Sequence, residues 1–156
     1  MQKVIGNLWH TPADWLCITT NGLIRSDGKA VMGKGCAEQA ISRVPEVQRT
    51  LGSLLLKHGN HVYFLGHYGT KRVYSFPTKH DWHLPSPPEL IEQSARELKT
   101  LWTAWKDVTG TAPKVLIPRP GCGAGALQWG TVEPLLAPLL PEPEFAIIAF
   151  NAREFS

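Results

Sequence analysis

Two glycine-rich loops, each lying between an apolar run and a helical pattern, restrict what this chain can become more than any other feature. In the fuller one, Ile117-Pro118-Arg119-Pro120-Gly121-Cys122-Gly123-Ala124-Gly125-Ala126-Leu127-Gln128-Trp129, the apolar run 115–117 gives way to the apolar stretch 132–140. It reads as a strand, a loop and then a helix. Three glycines at alternate positions allow φ > 0 and let backbone N–H groups turn inward, and the helix that follows presents its positive end at the same spot. The layout suits an anion, although a tight structural turn explains a single such loop equally well. The second instance removes much of that ambiguity. Gly28-Lys29-Ala30-Val31-Met32-Gly33-Lys34-Gly35-Cys36-Ala37 again follows an apolar run, 15–18, and precedes a helical stretch. Two units of this kind point to two phosphates, or to one diphosphate held from both sides at the carboxyl ends of the strands.

The chain of 156 residues has room for one domain, 1–156, with a single good core and no linker. No apolar run approaches the roughly 18 residues of a membrane span, and the first residues lack the long apolar region of a secretory signal. A cytoplasmic monomer is therefore expected. Cys17, Cys36 and Cys122 are odd in number and widely spaced, which suits reduced thiols and not a disulfide framework. A net charge of +3 without a lysine–arginine run mildly favours an anionic ligand and falls short of the footprint of a dedicated nucleic-acid binder. The pairs His58/His61 and His80/His83 lack cysteine or carboxylate partners at ligand spacing, so no metal and no other cofactor is expected.

The periodicity places strands at 4–5, 15–20, 62–65, 72–76, 115–117 and 145–150, with 15–20 apolar on both faces as a central strand should be. Runs 62–65 and 72–76 form a hairpin around Gly66 and Gly69, after which Pro77 removes a ladder donor. Helices are expected at 32–44, stopped by Pro45, and at 46–57. A longer one opens at Ser86 as N-cap, with Pro87 and Pro88 in its first turn and Glu89 three residues on, and closes at Gly110. Ile91, Ala95, Leu98, Leu101, Trp102, Trp105 and Val108 share one of its faces, so its tryptophans read as core. A last helix at 131–140 is short or irregular because of Pro134 and Pro138. Strands alternating with helices give an α/β fold, a three-layer α/β/α sandwich on a mixed central sheet.

In order and spacing, Gly6-Asn7-Leu8, the strand end Thr19-Thr20-Asn21, the loop from Ala30 to Ala37, the segment Phe76-Pro77-Thr78-Lys79-His80-Asp81-Trp82 and the loop from Pro118 to Trp129 resemble the macro domains that bind or process ADP-ribose. The likeness covers nearly the whole chain. Through the Phe-Pro-Thr-Lys segment and the Val-Met-Gly-Lys-Gly loop it resembles most the branch of DNA ADP-ribosyl glycohydrolases from bacterial toxin–antitoxin systems and related deacylating enzymes. The resemblance implies that ADP-ribose is bound by Asn7, Leu8, Thr19, Thr20 and Asn21, by Ala30, Val31, Met32, Gly33, Gly35 and Cys36 of the first loop, and by Pro118, Gly121, Cys122, Gly123, Ala124, Gly125, Ala126 and Leu127 of the second. Phe150 and Asn151 would lie by the adenine. Many macro domains have an aspartate where Asn7 stands; an asparagine still accepts through its carbonyl oxygen, without the charge.

The resemblance also makes Lys79 catalytic, against the plain reading of a solvated lysine beside a turn. An amine near the distal ribose could attack the anomeric carbon or help protonate the leaving group, provided that burial and cations such as Arg119 favour its neutral form. Asn21 would orient the distal ribose or a water, or else simply end its strand as a left-handed residue. Relatives that cleave ADP-ribose from acidic side chains can carry an aspartate where this chain has Gly125, so an aspartate-assisted route is in doubt, and Asp27 and Asp81 are the acids left nearby. The expected activity is removal of ADP-ribose from a modified nucleobase, ADP-ribosylated DNA included, or from a protein side chain. The alternatives are a phosphatase of ADP-ribose 1″-phosphate and a binding module without chemistry. A dinucleotide-binding Rossmann protein is disfavoured, since neither loop reads G-x-G-x-x-G with an acid about 20 residues on.

Overall fold

The computed structural model describes residues 1–156. Strands β1 (Gln2–Ile5), β2 (Trp15–Thr20), β3 (Phe64–Tyr68), β4 (Lys71–Pro77), β5 (Val115–Pro118) and β6 (Phe145–Ala149) form one sheet in the order β1-β6-β5-β2-β4-β3. Every neighbouring pair is parallel except β3 against β4. The sheet is therefore mixed, as expected, and one hairpin alone makes it so. The helices are α1 (Gly35–Ile41), α2 (Val47–His58), α3 (Pro88–Thr109) and α4 (Trp129–Leu136).

The two-residue period of the strands divides the interior into two cores. Leu16, Ile18, Val73, Leu116 and Ile148 face Ala37 and Ala40 of α1 and Leu51 and Leu55 of α2. Their neighbours Trp15, Cys17, Tyr74, Ile117 and Ile147 face Ile91, Leu98 and Trp102 of α3 and Val132 and Leu136 of α4. Helix pairs on opposite faces of one sheet are the three layers that the alternation predicts. β2 is buried over nearly all its length, which explains why its sequence is apolar on both faces.

Several boundaries differ from the sequence reading, each for a local reason. α1 begins at Gly35 and not at Met32, because Lys34 is extended and Gly35 enters with a positive φ. β3 starts two residues late: side chains replace the ladder at its head, the Glu97 carboxylate accepting from the Val62 N–H and Ser75 Oγ from the Tyr63 N–H. Ser86 is not the N-cap of α3. Pro87 takes that position without a side-chain cap, while the Ser86 N–H donates to the Gly125 carbonyl. Gly110 ends the helix with a φ of 74°, as expected. Leu101 and Val108 fall off the buried face and are exposed, whereas Trp102 is core and donates its indole N–H to the Pro113 carbonyl. α4 is short, with Pro134 inside it.

Candidate functional site

Because β1, β6, β5, β2 and β4 are parallel, their carboxyl ends share one edge of the sheet, and the loops that follow them meet there. The residues singled out in the sequence lie in those loops or at the strand and helix ends that carry them. The two glycine loops follow β2 and β5, which are neighbours, but their ladder holds only Trp15↔Val115 and Leu16↔Leu116, whereas β2 pairs with β4 along all six of its residues. β2 runs on to Thr20 beside β4, and the chain then leads to α1 on one face, whereas that from β5 leads to α4 on the other. That divergence makes the seam a topological switch point, the place where open α/β sheets take ligands.

Both loops carry backbone donors without a partner in the protein. In the second loop the N–H groups of Gly121, Gly123, Ala124 and Gly125 donate to no group of the protein, and in the first those of Met32, Gly33 and Lys34 are equally free. Nothing lies within 4 Å of where a Cβ would stand on Gly33 or on Gly123, so both present bare backbone to open space. The three glycines of the second loop do not act alike. Only Gly121 takes a positive φ, 75°, and the other left-handed residue is Ala126 at 63°. Gly125 is needed for packing: a Cβ there would stand 2.5 Å from the Gly121 carbonyl oxygen and 2.3 Å from Ser86 Oγ. An acid cannot be accommodated at 125 without moving the loop.

Lys79 leaves the end of β4 and is buried, 8 % exposed. Its Nζ donates to the carbonyl of Ala124 at 2.8 Å and to that of Trp82 at 3.2 Å, and Asn60 Nδ2 holds its own carbonyl at 2.9 Å. It forms no ion pair, although eight pairs exist elsewhere in the chain. Two backbone carbonyls thus fix the position of the amine. Arg119 does not act as its neighbouring cation, because that guanidinium is bound to the carboxylate and carbonyl of Glu154. Glu154 in turn accepts from the N–H groups of Phe150 and Asn151. The Asn151-x-x-Glu154 spacing was readable as a capping box; with it, Arg119 could have been assigned to the C-terminal turn.

Several other named residues have contacts within the fold. Asn21 Oδ1 accepts from the Leu23 N–H and its Nδ2 donates to the Val31 carbonyl, so this side chain braces the first loop. Asn7 Oδ1 accepts from the Trp9 N–H at 2.9 Å, which leaves it one lone pair. Leu8, Ala30 and Met32 are buried in the core, and Thr20 Oγ1 is buried without a partner. Thr19 contacts Cys36 Sγ through its N–H and its hydroxyl. Burial pushes the thiols of Cys17, Cys36 and Cys122 above the usual range, so none offers a ready thiolate. Phe150 is largely exposed and Leu127 half-buried. Asp27 and Asp81 are tied up in surface turns. The Lys29 N–H holds the carboxyl of Asp27 below its ordinary range, and the His83 N–H does the same for Asp81. No three His, Cys, Asp or Glu side chains converge.

No protein-family model and no curated protein matches the chain. Solved structures do. The macrodomain of Mycobacterium tuberculosis DarG is 26 % identical with a TM-score of 0.75, over 94 % of this chain and 95 % of that one. The macrodomain of Thermus aquaticus DarG is 25 % identical with a TM-score of 0.72, over 96 % and 97 %. The chain has the macrodomain fold. Thermosipho africanus DarTG, in complex with ADP-ribose, shares the fold at 23 % identity and a TM-score of 0.73, over 97 % of this chain and 43 % of that longer chain.

Proposed function

We propose that this protein binds ADP-ribose between the two glycine loops and hydrolyses its link to a modified nucleobase or protein side chain. The observation that carries the chemistry is the buried amine of Lys79, without a carboxylate partner and hydrogen-bonded to the second loop at Ala124. The free N–H groups of both loops suit a diphosphate, and the ADP-ribose seen in the DarTG structure makes it the ligand to test first. In the hydrolysis the bond from the anomeric carbon of the distal ribose to the departing group breaks, and water ends on that carbon. The neutral amine acts as nucleophile on the carbon, or the ammonium as acid on the departing atom. The enclosed backbone at Gly125 leaves no place for an aspartate on that loop, which favours the lysine route.

Turnover of three substrates decides the reaction: ADP-ribosylated DNA, ADP-ribosylated protein and ADP-ribose 1″-phosphate. Release of ADP-ribose from either of the first two supports the proposal. Release of phosphate alone assigns the phosphatase, and tight binding with no turnover of any assigns a reader.

A further inference from the structure

The strand that delivers Lys79 loses one of its neighbours before it reaches that residue. On the β2 side the pairing outlasts both strands, the Thr78 N–H donating to the Thr20 carbonyl and the Gly22 N–H to that of His80. Backbone groups alternate in direction along a strand, so the main chain of Lys79, between those two residues, faces away from β2. On that other side the ladder of β3 stops at Phe64↔Tyr74, and the main-chain bonding ends with the Ser75 N–H on the Tyr63 carbonyl. Buried carbonyls beyond that point need other donors, and side chains supply them. Ser94 Oγ donates to the Pro77 carbonyl at 2.7 Å, and Asn60 Nδ2 donates to the Lys79 carbonyl at 2.9 Å.

Asn60 reaches Lys79 from the connection between α2 and β3. Its Nδ2 also lies 3.3 Å from His80 Nδ1, and Gly22 leaves room for it, since a Cβ there would stand 3.1 Å from the same nitrogen. Its Oδ1 is buried without a partner. An orphaned oxygen offsets much of what the donor contributes to stability, so the carboxamide serves position more than stability.

We propose that Asn60 is a positioning residue for the Lys79 amine. The inference rests on the hydrolase reading of that amine. The carbonyls of Ala124 and Trp82 hold the amine end of the side chain, and Asn60 holds its main-chain end. Without Asn60 the backbone at Lys79 is secured from the β2 side alone, and the amine moves with it. A misplacement of about 1 Å costs a reacting group on the order of 100-fold in rate, whereas the free N–H groups of the glycine loops stay where they are.

Turnover of whichever ADP-ribosylated substrate the wild type cleaves tests this. Asn60→Ala should lower kcat by roughly 10-fold or more and leave KM and the affinity for free ADP-ribose within about two-fold. The melting temperature should change little. In a Lys79→Ala background, followed in single turnovers, the same substitution should cost nothing further, because no amine is left to place. Equal loss in both backgrounds, or loss of ADP-ribose affinity together with rate, makes Asn60 plain scaffolding and overturns the proposal. Unchanged kcat in Asn60→Ala overturns it as well and leaves the hydrolase standing. A wild-type protein that cleaves none of the three substrates brings down the hydrolase reading, and the positioning role with it.

Discussion

At the scale of single residues, Lys79 separates a catalyst from a reader. If its amine is the nucleophile or the proton donor, Lys79→Ala should lower turnover roughly 100-fold or more, the range for removing a positioned proton-transfer or nucleophilic group. Lys79→Arg should be nearly as inactive, since a guanidinium does not become a free amine near neutral pH. Activity that falls as acid protonates the amine marks the nucleophile, and loss on the alkaline side marks the acid; initial rates across pH decide between them. Equal turnover in Lys79→Ala and wild type removes Lys79 from the mechanism. The residue was visible in the sequence only through its likeness to a family, because a lysine beside a turn is ordinarily solvated. What the sequence could not show is the pair of carbonyls around it, one 45 residues away at Ala124. Nor could it show that Asn21 and Asn7 already bind backbone, since a side-chain amide serves a ligand and a turn with the same groups.

At the scale of elements, the loops were legible and the reasons for their glycines were not. Gly33 and Gly123 face open space, so Gly33→Val or Gly123→Val should fold normally and lose ADP-ribose by blocking close approach of the backbone. Calorimetry on folded samples checks this, and unchanged affinity in both would place the ligand elsewhere. Gly52 looked like any residue of a helical stretch, yet it is where α2 packs on the first loop. A Cβ there would stand 2.0 Å from the Gly28 carbonyl oxygen and 2.9 Å from the Ala30 nitrogen, while the Ala30 N–H donates to the Gln48 carbonyl. Alanine gains about 1 kcal/mol of helix propensity over glycine, but overpacking against rigid backbone costs about 1–3 kcal/mol. Gly52→Ala should therefore lower the denaturation midpoint and weaken ADP-ribose together, by displacing the loop; a raised midpoint would show that the helix shifts freely. Such a contact spans elements and leaves no local pattern. Ser86 misled for the same reason, its backbone being committed to Gly125 instead of to the helix it precedes.

At the scale of the molecule, the alternation of strands and helices was enough to give the layers, because central strands such as β2 and β6 bury both faces between helix pairs. The order of the strands was not in the pattern, and it is the order that sets β2 beside β5. Their short shared ladder means that the two halves of the sheet are joined weakly at the edge where the loops gather. A ligand gripping both loops adds contacts across that seam in the native state only, so its binding free energy appears as stability. At a concentration 100 times its Kd, ADP-ribose should stabilise the fold by about 2.7 kcal/mol, a rise of roughly 5–10 °C in Tm for a chain of this size. Lys79→Ala should keep that rise, because main-chain donors hold the diphosphate, whereas Gly33→Val and Gly123→Val should lose it with unchanged melting temperatures in the free state. Thermal melts with and without ligand measure all of this without any substrate. A wild-type protein whose melt ignores saturating ADP-ribose would show that the seam between β2 and β5 is not its binding site.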